Sequence, residues 1–214
     1  MNLLKKYIRE PVNGLTHGFG ALLALVGLGF MLYDSLYDMN RTIAFSIFGI
    51  SMVLLYTSSS LYHSVRAQEK TLELLRKLDH SMIYVLIAGS YTPVCVLALE
   101  SPWKWILLIT VWTLAVVGVI KKFLWKAPRW ISTLMYLSMG WLAVVMFPAL
   151  WNSLPGAFLG WIIMGGLAYT IGAIIYGFKK PDPIPEWFGF HEIWHLFVMA
   201  GTFSHFWAFY HFLT

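Results

Sequence analysis

Residues 158–178 read FLGWIIMGGLAYTIGAIIYGF, a run of 21 residues without a charged side chain. A helix needs about 20 mostly apolar residues to cross a bilayer, so this run predicts a membrane-spanning helix. Six more stretches are similar, and the seven predicted spans are 12–33, 42–63, 80–99, 103–120, 130–150, 158–178 and 190–212. Their apolar residues are continuous and do not alternate as in the strands of a membrane barrel. The sequence therefore predicts an all-α integral membrane protein, a seven-transmembrane helix bundle that forms a single domain over residues 1–214.

The composition of the whole chain agrees with this class. Hydrophobic residues make up 59% of the 214 residues and charged residues 12%, whereas soluble domains are about 45–50% apolar and about 25% charged. A soluble enzyme of this size could not cover so much apolar surface, and disordered chains are poor in apolar residues. A disulfide scaffold within one chain is excluded because Cys95 is the only cysteine.

The basic residues predict the orientation. Thirteen of the 15 Lys and Arg residues lie before the first predicted span or in the connections after the second, fourth and sixth spans. The opposite side carries only Arg41 and Lys104. By the positive-inside rule, the N-terminus is expected in the cytoplasm and the C-terminus outside, in a multi-pass protein of the cell membrane. The net charge of +5 then reflects orientation, and no nucleic-acid partner is expected.

Ionisable side chains at membrane depth are rare and usually functional. The orientation places five histidines and two acidic residues at one level near the cytoplasmic face: His17, His63, His80, His191, His195, Asp79 and Glu192. His205 and His211 lie toward the outer end of the last span, and these two are expected to be interfacial. The same expectation applies to His17.

His191 and His195 are four residues apart, which places both rings on one helix face about 6 Å apart at Cβ. Two such imidazoles can bind one Zn²⁺ ion, and His63 is the best third ligand by its depth in the membrane. The alternatives stay open at this point: the pair could be hydrogen-bonded between helices, and His63 could be an interfacial residue. Residues 191–195 also match H-E-x-x-H, the zinc metalloprotease motif in which the glutamate is the general base.

Ser59 and Asp79 are the candidate catalytic residues beside this site. Ser59 precedes His63 by one helical turn, where it could orient a water or donate to an oxyanion; small hydroxyl residues also commonly pack between membrane helices. Asp79 could deprotonate a water whose pKa Zn²⁺ lowers to about 7. At the start of a helix, Asp79 is most simply an N-cap.

Three separated runs carry a resemblance: SSLYH at 59–63, LDHSMIY at 78–84 followed by AGSYTP at 88–93, and FHEIWH at 190–195. They closely resemble the bacterial hemolysin III family, which is grouped with the progestin and adiponectin receptors and, more distantly, with the alkaline ceramidases. The resemblance implies seven helices in a bacterial plasma membrane and a zinc ion near the cytoplasmic face. It also implies that His63, His191 and His195 are the ligands and that Asp79 and Ser59 lie beside the metal.

The expected function is that of a zinc-dependent hydrolase of a lipid amide or ester, with a membrane lipid or fatty-acyl compound as the substrate. Asp79 is expected to act as the general base and then the acid, and Ser59 to donate to the oxyanion. One alternative is a non-enzymatic sensor or homeostasis protein in which zinc is structural. Another is a membrane-lytic, hemolysin-like protein.

Overall fold

The computed structural model describes residues 2–125 and 128–214, and helices account for most of them. In chain order these are α1 (Asn2–Tyr7), α2 (Pro11–Ser35), α3 (Met39–Ser64), α4 (Glu69–Ala98), α5 (Trp103–Leu124), α6 (Arg129–Gly140), a 3-10 helix (Trp141–Met146), α7 (Phe147–Ser153), α8 (Gly156–Phe178) and α9 (Phe190–Phe212). Within these two ranges there is no β-strand, only an isolated bridge between Ile184 and Phe188. The all-α prediction is confirmed.

Five of the described helices are long and apolar enough to cross a membrane: α2, α3, α4, α5 and α8. Their outer faces carry large apolar side chains, among them Leu22 and Val26 on α2 and Ile109 and Val116 on α5. Exposed apolar surface on this scale would be costly in water but suits a lipid environment. The chain is therefore a multi-pass membrane protein.

Two expected spans differ from this pattern. The stretch 130–150 is not one helix: α6 ends at Gly140, and a 3-10 helix separates it from α7. The hydroxyl of Tyr91 lies at the break, where it accepts from the backbone N–H of Ala143 at 2.8 Å and donates to the carbonyl of Gly140 at 2.7 Å. The last expected span, 190–212, is the continuous 23-residue helix α9, but it is not among the five.

Helix α4 begins at Glu69, well before the expected span at 80–99. The amphipathic residues ahead of that span continue the same helix, so the connection from α3 consists only of residues 65–68. Asp79 consequently lies inside α4, more than two turns from its first residue. The N-cap interpretation of Asp79 is therefore wrong.

Small residues bring the helices that carry the site close together. The hydroxyl of Ser60 in α3 donates to the carbonyl of Gly14 in α2 at 2.8 Å, and a Cβ on Gly14 would lie 2.4 Å from the hydroxyl oxygen of Ser64. A Cβ on Gly172 in α8 would lie 2.8 Å from the ring of Trp194 in α9. These close approaches are typical of membrane helix packing, and they hold α3 against the start of α2 and α8 against α9.

Candidate metal centre

Three histidines from two helices converge at one end of the bundle. His63 lies in the last turn of α3, and His191 and His195 lie in the first two turns of α9. The ring centroids are 5.0 Å apart for His63 and His191, 4.9 Å for His63 and His195, and 5.0 Å for His191 and His195. One ring nitrogen from each lies within 4.8 Å of the others, so the three residues could hold a metal ion.

The chemistry of these nitrogens fits a metal. Among the described residues, neither Nε2 of His63 nor Nδ1 of His195 has a hydrogen-bond partner, and both atoms are buried. Buried polar atoms without a partner are uncommon in folded proteins and need an explanation. A bound cation would use both lone pairs, and imidazole ligands suit zinc, copper, iron and nickel.

Glu10, the residue before α2, completes the surroundings of His63. Its Oε2 lies 2.6 Å from Nδ1 of His63, and its backbone N–H donates to the His63 carbonyl at 2.9 Å. Burial alone would raise the pKa of the Glu10 carboxyl, but the hydrogen bond to His63 and the positive charge of Arg9 bring that pKa below its ordinary value. Sequence reasoning missed Glu10 because it lies outside the apolar runs.

Both carboxylate oxygens of Glu192 are hydrogen-bonded to groups other than the three histidine rings. One carboxylate oxygen accepts from the backbone N–H of Gly189 at 2.8 Å, and the other accepts from the side-chain amide of Asn13 at 2.8 Å. The first bond caps the start of α9, and the second ties that helix end to α2. Glu192 therefore stabilises the helix that carries two of the histidines, and this arrangement does not resemble the general base of an H-E-x-x-H protease.

His17 is a second residue that the sequence did not assign to the site. Its side chain is buried, with 3% of the residue exposed, and its ring stacks on His195 with centroids 3.7 Å apart. The expectation that His17 is interfacial is wrong. A signal was present in the spacing: Glu10, Asn13 and His17 recur at intervals of three and four residues, which places them on one face of α2.

Ser59 and Asp79 line the same cavity as His191 and His195. Ser59 is 1% exposed, and within the described part of the chain its hydroxyl has no hydrogen-bond partner. A carboxylate oxygen of Asp79 lies 3.5 Å from Nδ1 of His80. Among the described residues, the group that could hold a metal consists of the three histidines and does not include Asp79. The catalytic roles of Ser59 and Asp79 stay predictions.

The cavity has a polar end and long apolar walls. Its volume is about 220 Å³. Along α4 the lining extends from Asp79 to Val94, which corresponds to about 22 Å at 1.5 Å per residue. Most of the remaining lining is apolar and includes Leu150, Phe158 and Phe209, although Tyr91, Thr170 and His205 also line the cavity. A long apolar cavity that ends at a few polar groups suits a lipid chain whose polar end faces those groups.

The chain is similar to proteins of a known family. The model of the family described as "Haemolysin-III related" matches residues 5–206, nearly the whole chain. The chain belongs to this family. The predicted resemblance to the bacterial hemolysin III family is thereby confirmed.

Three relatives show how far the similarity extends. The chain is 42% identical to the Hemolysin-3 homolog of Bacillus subtilis (strain 168) over 199 residues, which covers 90% of this chain and 89% of the relative. It is 39% identical to Hemolysin-3 of Bacillus cereus over 207 residues, with 94% and 91% covered. It is 30% identical to the human monocyte to macrophage differentiation factor over 213 residues, with 95% and 84% covered. The human relative fits the placement in the progestin and adiponectin receptor superfamily.

Proposed function

We propose that this hemolysin III family member is a zinc-dependent hydrolase that cleaves an amide or ester bond of a membrane lipid near the cytoplasmic leaflet. The observation that carries the proposal is that the group of three converging histidines adjoins a long, mostly apolar cavity that two of them line. His191 and His195 line that cavity together with Ser59 and Asp79. A metal held by three protein ligands keeps a position open for a reactant, as in catalytic zinc sites.

His63, His191 and His195 would hold the ion. When bound, Zn²⁺ supplies Lewis acidity and lowers the pKa of water to about 7. Asp79 is the candidate to take a proton from the attacking water and to return it to the leaving group, as a general base and then a general acid. The unpartnered hydroxyl of Ser59 is the candidate donor to the carbonyl oxygen as negative charge develops there.

The apolar walls of the cavity would position the substrate. An acyl chain lying along α4 has its carbonyl end at the level of Asp79 and its tail toward Val94, since both residues line the cavity. This placement brings the bond to be cleaved to the histidines and keeps water away from the tail. The reaction would be faster because the reacting groups are held and oriented in one site.

The proposal includes seven spans, in which the broken segment 129–153 and helix α9 cross the membrane with the five apolar helices. Irregular backbone is tolerated at membrane depth where its polar groups are satisfied, and Tyr91 satisfies two of them at the break. The cytoplasmic side is assigned from the basic segments. Lys5 donates to the carbonyl of Glu186 at 3.0 Å, and the guanidinium of Arg66 donates to the carbonyl of Lys5. Three of these segments thus meet at one end of the bundle, the end that contains the histidines.

A lipid hydrolysis assay tests the proposal. The purified full-length chain in phospholipid vesicles would be supplied with a panel of N-acyl and O-acyl lipids, and free fatty acid would be measured. We expect release from at least one lipid and its loss in His191→Ala. The matched control is His211→Ala, because His211 lies on the same helix but is exposed at its far end. Full turnover after removal of the metal would contradict the proposal.

A second candidate function is membrane lysis, favoured by the names of the two Bacillus relatives, Hemolysin-3 and Hemolysin-3 homolog. Release of haemoglobin from red cells tests it. Lysis by His191→Ala as readily as by the unaltered chain would show that lysis does not depend on the proposed metal chemistry.

A further inference from the structure

The side chain of Glu10 is placed to control one specific histidine of the candidate metal centre. The ring of His63 is fully buried, and its Nδ1 lies 2.6 Å from a carboxylate oxygen of Glu10. An ionised carboxylate can only accept a hydrogen bond, so this geometry suits the tautomer of His63 in which Nδ1 carries the proton. Nε2 then keeps its lone pair, and Nε2 is the buried atom without a hydrogen-bond partner in the part of the chain that the structure describes.

Glu10 is itself held in place from several directions. Its backbone N–H donates to the carbonyl of His63 at 2.9 Å, and the backbone N–H of Arg9 donates to the carbonyl of Ser64 at 3.2 Å. The guanidinium of Arg9 lies 3.3 Å from the other carboxylate oxygen. The carboxylate is therefore fixed relative to the last turn of α3, where His63 lies.

Asn13 connects the same group to the other ligand-bearing helix. Its side-chain amide lies 3.4 Å from Oε2 of Glu10 and 2.8 Å from Oε1 of Glu192. Glu192 in turn accepts from the backbone N–H of Gly189, which begins α9. One chain of hydrogen bonds thus runs from His63 on α3, through the start of α2, to the helix that carries His191 and His195.

We propose that Glu10 is a positioning residue of the metal centre. It fixes the tautomer and ring orientation of His63 so that Nε2 binds the metal, and through Asn13 it holds the start of α9 in register with α3. The inference rests on the proposed function only for the identity of the ion as Zn²⁺. It does not depend on hydrolysis. Outer carboxylates that orient ligating histidines typically change metal affinity 10- to 100-fold when removed.

The test uses the metal-stripped full-length chain in detergent, with its Zn²⁺ affinity measured by competition with a chromophoric chelator. Glu10→Gln keeps the shape of the side chain but removes its charge, and we expect its affinity to fall about 10- to 100-fold. Glu100→Gln is the matched control, because Glu100 is an exposed glutamate in the α4–α5 connection. Unchanged affinity in Glu10→Gln, or an equal loss in Glu100→Gln, would overturn the proposal.

A second readout separates positioning from general stability. Nitrogen-15 NMR of histidine-labelled, metal-free protein reports the tautomer of His63, and we expect the Nδ1–H form in the unaltered chain and a mixture in Glu10→Gln. The melting temperature of metal-free Glu10→Gln should fall only slightly, because an amide of the same shape still occupies the chain of hydrogen bonds. A tautomer that does not change, or a melting temperature that falls in step with the zinc affinity, would show that Glu10 is only structural. A chain that binds zinc without hydrolysing lipid would overturn the proposed function and leave this inference standing.

Discussion

The ring of His17 lies nearly parallel to the ring of His195, with centroids 3.7 Å apart and planes inclined by 16°. The ring of Tyr56 also packs against His17, nearly perpendicular to it and with ring centroids 5.1 Å apart. His17 therefore covers one face of the His195 ring, and Tyr56 in turn packs against His17. His17 belongs to the support of the metal centre, on the same face of α2 as Glu10 and Asn13.

Replacing His17 tests this support. His17→Ala removes the stacked ring and leaves a gap beside His195, so we expect the free energy of unfolding to fall by about 2 kcal/mol. His17→Phe restores a flat ring of similar size and should recover most of that loss. Thermal or denaturant unfolding of the metal-free protein measures both variants. Equal destabilisation by Ala and Phe would argue against a stacking role.

Zinc should stabilise the fold through the three histidines. A ligand that binds only the folded state adds about 2.7 kcal/mol at a concentration 100 times its Kd. We therefore expect the melting temperature of the metal-stripped chain to rise with added Zn²⁺, and this rise to disappear in His63→Ala. In His211→Ala the rise should persist. A zinc-dependent rise that survives in His63→Ala would place the ion elsewhere.

Glu192 distinguishes a capping residue from a protease base. Because its carboxylate holds the N–H of Gly189 and the amide of Asn13, Glu192→Gln should cost about 1 kcal/mol of stability, as for other helix caps. Lipid hydrolysis should be reduced at most a few-fold. Parallel unfolding and fatty-acid release measurements check both parts. Complete loss of activity with full zinc occupancy would restore the general-base interpretation.

Tyr91 should be important for the broken helix. Its hydroxyl is bonded to the backbone of Gly140, where α6 ends, and of Ala143 in the 3-10 helix, and the residue is buried. Tyr91→Phe leaves these backbone groups without that partner, and a buried unsatisfied group costs about 1–3 kcal/mol. The exposed Tyr37 provides the control, since Tyr37→Phe should leave the unfolding curve unchanged. A stable Tyr91→Phe protein would mean that the break does not need the hydroxyl.

The cavity can be filled without disturbing the metal centre. In the described residues nothing lies within 4 Å of a Cβ built on Gly166 or on Gly160, both in α8, but only Gly166 lines the cavity. Gly166→Leu should therefore reduce hydrolysis of long-chain lipids at least about tenfold, a loss of the kind expected when a substrate is misplaced. Gly160→Leu should not. Zinc affinity should stay the same in both. Equal activity in the two variants would exclude this cavity as the acyl site.

The convergence of His63, His191 and His195 was predictable because two signals in the sequence agree. The helical spacing of His191 and His195 places them on one face, and the charge asymmetry places His63 at the same depth. Both signals can be taken from the order of residues along the chain. Depth is a one-dimensional coordinate, however, and it says nothing about which helices are neighbours.

Glu10 and His17 were missed because depth in the membrane does not show which helices are neighbours. Their roles exist only because α2 packs against both α3 and α9, and neighbouring helices in a bundle follow from packing and not from hydropathy. The break after Gly140 was missed for a related reason. Pro148 is a local sign of a kink in the apolar run 130–150, but the helix already stops at Gly140, where Tyr91 from another helix satisfies the backbone groups.

The most direct test of the central claim is to return Zn²⁺ stepwise to the metal-stripped chain while fatty-acid release is followed. We expect no turnover without the metal, a linear rise with bound zinc up to one ion per chain, and no rise in His191→Ala. Full turnover before any zinc is added would contradict the claim that the three histidines form a catalytic zinc site.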